Sequence, residues 1–453
     1  MAGRRILKLL VANRGEIAVR IIRAAHELGI SAVAVHSTAD RAALAVRLAD
    51  EAAEIGPAHA TKSYLDPQAL LRAARDTGAD AVHPGYGFLS ENAAFAQATI
   101  DAGLTWVGPA PETIRTMGNK ALARETARAA GVPVVPGSDG ELRDVGHAVE
   151  VARRIGFPVL VKASAGGGGR GIRIARDEAE LGRELSTAQA EARAAFGDGG
   201  VYLERFVARA RHVEVQVLGD GEDVVHLGER ECSLQRRRQK ILEESPSPAL
   251  APEVREAICA SAVRLARAVR YRGAGTLEYL YDPDRGDFLF IEMNTRIQVE
   301  HPLTEMRTGV DLVREMLRVA GGERLGLRQE DVVARGAAIE CRINAEDAAR
   351  NFQPCPGTIR ELVLPGGPGV RVDTLAYAGY AIPPFYDSLV AKLVVWAESR
   401  PAALARMRRA LREMRVEGVA TTLALHRELL GSAELASGDY DVNTLERWVA
   451  ARP

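Results

Sequence analysis

Lysine is scarce in this chain: of its 59 cationic side chains, six are lysines (Lys8, Lys62, Lys120, Lys162, Lys240 and Lys392). Arginine has been preferred wherever either cation serves, so the surviving lysines are suspects for positions that need a compact ammonium, not a planar fork. A charge surplus is also missing. The 60 acidic residues leave a formal net charge of −1, which excludes the basic field expected of a nucleic-acid binder. No apolar run approaches the roughly 18 residues of a membrane span. The opening MAGRRILKLLVANRGE is charged, but its apolar stretch is short and lacks a small-residue cleavage pattern, so it reads as a first strand and not a signal peptide. Four cysteines (Cys232, Cys259, Cys341, Cys355) lack metal-ligand or redox spacing and fit reduced thiols in a cytoplasmic protein. Aromatics make up only 5%, yet no low-complexity tract suggests disorder.

What is present is a globular composition, 47% hydrophobic over 453 residues. That length exceeds one ordinary core and implies two to four domains. Over about 1–115, apolar runs such as ILKLLVA and SAVAVH alternate with turns and helical patterns, the mark of a parallel α/β layer. Between about 116 and 335 strand pairs dominate (FPVLVKA, VYLERFV, RHVEVQVL, TLEYLYD, FLFIEMN), with helices expected at about 119–130, 177–194 and 252–270. The remainder, about 336–453, is β-rich and then carries an Arg-rich helix near 401–415. No internal repeat is present.

Lys162-Ala163-Ser164-Ala165-Gly166-Gly167-Gly168-Gly169-Arg170-Gly171 joins two strand-like runs. It formally contains GxGxxG, but a strand pattern follows it where a dinucleotide site needs a helix, and no Walker lysine follows the glycines. Two readings remain: a bare flexible hairpin tip, or a flap whose backbone N–H groups close over phosphates with Lys162 adding a point charge. Four consecutive glycines carry an entropic cost that favours the flap.

In TLEYLYDPDRGDFLFIEMN, Asp-Pro and Arg-Gly mark a turn. A hairpin centred on Arg285 places Glu278 across from Glu292, ~5 Å apart at Cβ. Two carboxylates at ~4 Å repel by several kcal/mol at an effective dielectric near 20 unless a cation or shared proton intervenes. Oxygen-only ligands beside phosphate suggest Mg²⁺; a register two residues off would turn both glutamates to water. Beyond this point Glu292, Asn294, Arg296, Gln298 and Glu300 keep a two-residue period and share one face of an extended chain. At ~6.6 Å per same-face step, Arg296 and Glu300 lie ~13 Å apart. Both reach one small anion only if the run curls.

NRGEIA, HPGYGFLSEN, KASAGGGGRG, RHVEVQV, CSLQRRRQK, FIEMNTRIQVEHPLTE and ECRINAED, in this order over about residues 11–395, resemble biotin carboxylase. The resemblance implies an α/β and α+β multidomain fold. Its parts are a Rossmann-like pre-ATP-grasp domain at 1–115, an ATP-grasp domain at 116–335 with a mobile lid at 133–206, and a β-rich C-terminal domain at 336–453. It implies nucleotide contacts from Lys120, Lys162, Gly168, Gly169, Glu204, Arg205, Phe206, Val207, His212, Gln235, Arg238, Glu278 and Glu292. Arg205 stands where a lysine is usual, Arg238 where histidine is common, and Ala165 where some relatives have glycine. Magnesium (or manganese) ligands are implied at Glu278, Glu292 and Asn294. A bicarbonate and biotin pocket is implied at Lys240, Arg296, Gln298, Val299 and Arg342, with Arg296, Glu300, Arg342 and Lys240 catalytic and Glu300 the general base. Three of the six lysines fall on these positions.

The activity so implied is ATP-dependent carboxylation of biotin through carboxyphosphate, the first half-reaction of an acetyl-CoA or related acyl-CoA carboxylase. No Met-Lys-Met biotinyl site is present, so biotin is expected on a separate carrier protein. Carboxyltransferase subunits and a homodimer are the implied partners. The rivals are another ATP-grasp ligase, which has no reason to carry RIQVEHPLTE, and a non-catalytic nucleotide-binding scaffold, which has no reason to keep every acid and Arg296.

Overall fold

The computed structural model describes residues 5–163, 173–196 and 199–451. Residues 5–114 build a parallel five-stranded sheet of β1 (Lys8–Val11), β2 (Ser31–Ser37), β3 (Glu51–Gly56), β4 (Ala81–His83) and β5 (Thr105–Trp106), in the order β3-β2-β1-β4-β5. Its inner strands β1, β2 and β4 are buried on both faces because helices cover both, among them α1 (Gly15–Glu27), whereas the edge strand β3 is largely exposed. Asn13, in the turn between β1 and α1, donates through Nδ2 to the carbonyls of Pro84 (2.6 Å) and Tyr86 (2.7 Å). A Cβ on Gly85 would meet that amide at 2.9 Å, and its φ is +63°, so the HPGYG loop closes onto the NRGE turn only with glycine there. The two motifs are one structural unit.

The helices α2 (Lys120–Ala129), α3 (Val145–Ile155), α4 (Glu178–Phe196) and α5 (Pro252–Ala268) come next. Three of the expected helices are among them. α3 and α4 cover one small sheet, β6 (Val159–Ala163), β7 (Arg173–Ala175) and β8 (Val201–Arg205), in the order β7-β6-β8. β6 and β7 pair antiparallel, Val159 with Ala175 through Val161 with Arg173, so the glycine tract does join two paired strands. Gly168 and Gly169 themselves lie outside the described residues.

The largest sheet has eight strands: β9 (Arg211–Asp220), β10 (Val224–Arg236), β11 (Gln239–Ser245), β12 (Arg272–Asp282), β13 (Asp287–Asn294), β14 (Ala337–Asn344), β15 (Val370–Thr374) and β16 (Leu389–Ala397). The order is β13-β12-β9-β10-β11-β14-β16-β15, so one sheet runs through residues on both sides of 335. In β9 the period of two is strict: Val213, Val215 and Val217 enter the core under α5, while His212, Glu214 and Gln216 take the other face. α6 (His301–Thr308) follows β13 after a short turn. Among the described residues no helix is long and apolar enough to cross a membrane.

Candidate active site

A cleft of about 1490 Å³ opens where the three sheets converge. Every predicted site residue within the described part of the chain lines it: Lys120, Lys162, Glu204, Arg205, Phe206, Val207, His212, Gln235, Arg238, Lys240, Glu278, Glu292, Asn294, Arg296, Gln298, Val299, Glu300 and Arg342.

Register builds its floor. Glu278 on β12 stands between Glu292 on β13 and Glu214 on β9, three carboxylates abreast. The inner β12–β13 pairs run Asp282 with Asp287 to Tyr279 with Phe290, and a bulge at Ile291 then brings Glu292 opposite Glu278. Without that extra residue Glu292 would face the core. The acids are treated unequally. Glu278 Oε1 accepts from Asn294 (2.9 Å), Gln298 (2.8 Å) and Lys240 (3.4 Å), and Oε2 lies 3.0 Å from His212 Nε2. Burial would raise the Glu278 carboxyl, but Lys240 and His212 outweigh it and hold it well below the usual range. Glu292 is shifted the other way, up, by burial and by Glu278, with Lys120 only partly opposing. A divalent cation between them would remove that repulsion, and two carboxylates with the Asn294 amide oxygen form a hard-ion donor set. His212, Glu214 and Glu278 also bring ligand atoms within 4.8 Å of one another.

The chain does not stay extended past Asn294. β13 ends there, residues 295–300 turn, and Glu300 becomes the residue before α6. The curl that a shared anion site requires is therefore present, and Arg296 braces it: Nη1 donates to the Ile297 carbonyl (3.2 Å) and Nη2 to Asn294 Oδ1 (2.7 Å). This curl brings Arg296 and Glu300 into one cleft. Glu300 is gripped from two sides, by Lys240 Nζ at 2.5 Å and Arg342 Nη2 at 3.0 Å. Burial would raise its carboxyl, yet Lys240, Arg342 and Arg230 keep it well below the usual range.

Several residues in this machinery carried no local signal. Glu91, from the HPGYGFLSEN loop, accepts from Arg296 Nε (2.9 Å) and from the Thr295 backbone (3.0 Å). Arg230, fully buried, donates to Glu214, Gln216, Thr304, Thr276 and Gln298. Glu243 accepts from Arg342 Nε at 2.6 Å and faces Glu340 across β11 and β14. Cys232 lies beside Glu214 and Glu300, its thiol pushed well above its usual range by burial and Glu214.

At the other end of the cleft, Glu204 on β8 pairs with both Lys162 and Arg124. Arg205 lies 3.4 Å from Asp287 and 3.9 Å from Asp282. Lys120, the first residue of α2, follows an Asn119 cap. β10 and β11 are joined by Arg237 and Arg238, whose φ values of +48° and +67° make a tight primed turn from residues that rarely adopt it. Glu446 secures it by accepting from the Arg237 backbone at 3.0 Å. Gln235 and His212 meet at 3.2 Å nearby.

Three family profiles match in succession: biotin carboxylase N-terminal domain over residues 5–114, carbamoyl-phosphate synthase L chain ATP-binding domain over 119–328, and biotin carboxylase C-terminal domain over 340–447. Biotin carboxylase 1 of Bacillus subtilis is 54% identical over 444 residues, 98% of this chain and 99% of that one. The biotin carboxylase domain dimer of Hydrogenobacter thermophilus 2-oxoglutarate carboxylase, in complex with MgADP, ADP and bicarbonate, superposes with a TM-score of 0.90 at 48% identity, covering 99% of this chain and 100% of that one. The Campylobacter jejuni biotin carboxylase in its β,γ-ATP complex gives 0.91 at 44%, covering 98% and 99%.

Proposed function

Since this chain belongs to the biotin carboxylase family, we propose that the cleft is where it carries out ATP-dependent carboxylation of biotin with bicarbonate, and that the residues lining it take the following roles. The observation that carries the assignment is Glu300 held between Lys240 and Arg342, with the same Lys240 reaching Glu278 of the carboxylate row.

Glu278, Glu292 and Asn294 would hold magnesium, which supplies charge neutralisation at the nucleotide phosphates. Lys120 and Lys162 add positive charge there, and Glu204 to Val207 with His212, Gln235 and Arg238 form the nucleotide wall. Gly168 and Gly169 are assigned to the same nucleotide by sequence. Bicarbonate sits against Arg296, Lys240, Gln298 and Val299. Arg296 uses three of its five N–H donors on Glu91, Ile297 and Asn294, which leaves two for an oxyanion.

A base is most effective with a pKa near the working pH, whereas Glu300 is held far lower by its cations. An arriving bicarbonate draws Lys240 and Arg342 toward its own negative charge. Glu300 then regains basicity where the proton must be taken. The deprotonated bicarbonate oxygen attacks the γ-phosphorus as the bond to ADP breaks, and carboxyphosphate splits into CO₂ and phosphate. Phosphate removes the biotin N1 proton, Arg342 balances the enolate oxygen, and N1 attacks CO₂.

A biotinylated carrier protein presents the biotin, carboxyltransferase subunits receive its carboxyl group, and two copies of the chain pair as in the Hydrogenobacter domain. The cytoplasm is the assigned compartment. The test follows ADP release and carboxybiotin with Mg-ATP, bicarbonate and free biotin. Dependence on all three supports the assignment; ADP release indifferent to bicarbonate refutes it. A Glu300→Gln variant with an unchanged biotin-stimulated rate refutes Glu300 as the base.

A further inference from the structure

The chain uses lysine six times, and one of these, Lys392 on β16, lies at 0% exposure. Its Nζ donates to the Val299 carbonyl at 2.8 Å, and stands 3.1 Å from Glu16 Oε2 and 3.7 Å from Asp373 Oδ2. In the sheet it is the direct neighbour of Arg342 on one side and Asp373 on the other. Glu16 also accepts from the hydroxyl of Tyr86 at 2.5 Å, and Tyr86 lines the cleft. Asp373 is fixed by a two-bond pair with Arg371 (2.9 and 2.7 Å).

We propose that Lys392 is a positioning residue for bicarbonate: its ammonium anchors the Val299 peptide from beneath and so sets where the flanking Gln298 and Glu300 point. The inference rests on reading Arg296 to Glu300 as the bicarbonate pocket. Three separate segments converge on this one charge, with Glu16 from α1, Val299 from the turn after β13 and Asp373 from β15. The site needs a small head that reaches a carbonyl and two carboxylates from one point, and a planar guanidinium does not fill that geometry. That accounts for a lysine here in a chain that otherwise favours arginine.

The experiment measures KM for bicarbonate, KM for ATP and kcat in Lys392→Met, in Lys392→Met with Glu16→Gln (which removes one of the carboxylates the first variant strands), and in Arg296→Ala. Loss of one charged hydrogen bond predicts a bicarbonate KM roughly tenfold higher in whichever Lys392 variant folds, with the ATP KM unchanged. A bicarbonate KM equal to wild type, or a uniform fall in all parameters, means that Lys392 only supports the fold. If Arg296→Ala also leaves the bicarbonate KM alone, the pocket assignment itself fails. If Arg296→Ala raises it and the Lys392 variants do not, only the role of Lys392 is lost.

Discussion

Arg296 and Glu91 form an ion pair, Nε to Oε2 at 2.9 Å, across 205 residues of chain. It ties the HPGYGFLSEN loop of the first domain to the turn after β13. Its side chains are 20% and 41% exposed, so solvent screens the attraction and roughly 1 kcal/mol is the expected scale. Glu91→Ala should therefore raise the bicarbonate KM about fivefold, leave the ATP KM alone, and do so less at high ionic strength. Initial rates at two salt concentrations decide it; an effect that grows with salt contradicts the ion-pair account.

The opposed acids make a prediction of contrary sign for two conditions. Glu292 is raised by burial and by Glu278, so without ligand its charge works against the fold. Glu292→Gln should raise the melting temperature of the metal-free protein while shrinking the further rise that Mg-ADP produces. The magnesium needed for half-maximal activity should increase more than tenfold, since even outer partners of metal ligands act on that scale. Thermal unfolding with and without Mg-ADP separates the two effects, and a lower ligand-free melting temperature would count against the repulsion.

How much of this was legible in the chain follows from distance along it. The β12–β13 hairpin is local, and its turn residues put Glu278 opposite Glu292. The structure reaches that pairing through a bulge at Ile291 that no turn chemistry announces. Three helices were legible because capping and apolar periodicity are local too. The Glu300 turn was required by chemistry but not visible, because the alternation of polar residues imitates a strand to the end. Glu214 looked like any polar residue of an alternating strand until β9 was laid beside β12. Glu91, Arg230 and Lys392 owe their roles to partners between 14 and 376 residues away, and sequence spacing carries nothing about such pairings.

Glu243 gives a pH dependence. Burial pushes its carboxyl up, Arg342 opposes and Glu300 reinforces, and the result is about 7 against an ordinary 4.5. Between these values the folded chain holds a proton that the unfolded chain has lost. Stability therefore declines as pH rises from about 4.5 to about 7, then levels off. Glu243→Gln keeps the neutral shape at every pH and should remove that component. The variant's melting temperature relative to wild type should climb across this window and stay constant above it, and a difference that is flat from pH 5 to pH 8 refutes the assignment.

Arg230 supplies the largest expected loss. It is fully buried, and its five N–H donors are all used: Nε on Glu214 (2.6 Å), Nη1 on Gln216 (2.7 Å) and Thr304 (2.9 Å), Nη2 on Thr276 (3.2 Å) and Gln298 (3.0 Å). Replacing it with methionine keeps most of the volume but leaves Glu214 buried with Lys240 as its remaining cation. Breaking a buried pair by removing one partner costs about 3–5 kcal/mol, and Arg230→Lys cannot restore a planar five-donor fork. Both variants should shift the denaturant midpoint strongly downward, with the lysine variant only partly spared. By contrast Arg153→Met, which breaks an exposed pair with Glu178, should scarcely move it. Because Gln298 loses a fixed partner with Arg230, the folded fraction of Arg230→Lys should also bind bicarbonate more weakly. If denaturant titration shows Arg230→Met and Arg153→Met equally stable, burial is not what gives Arg230 its weight.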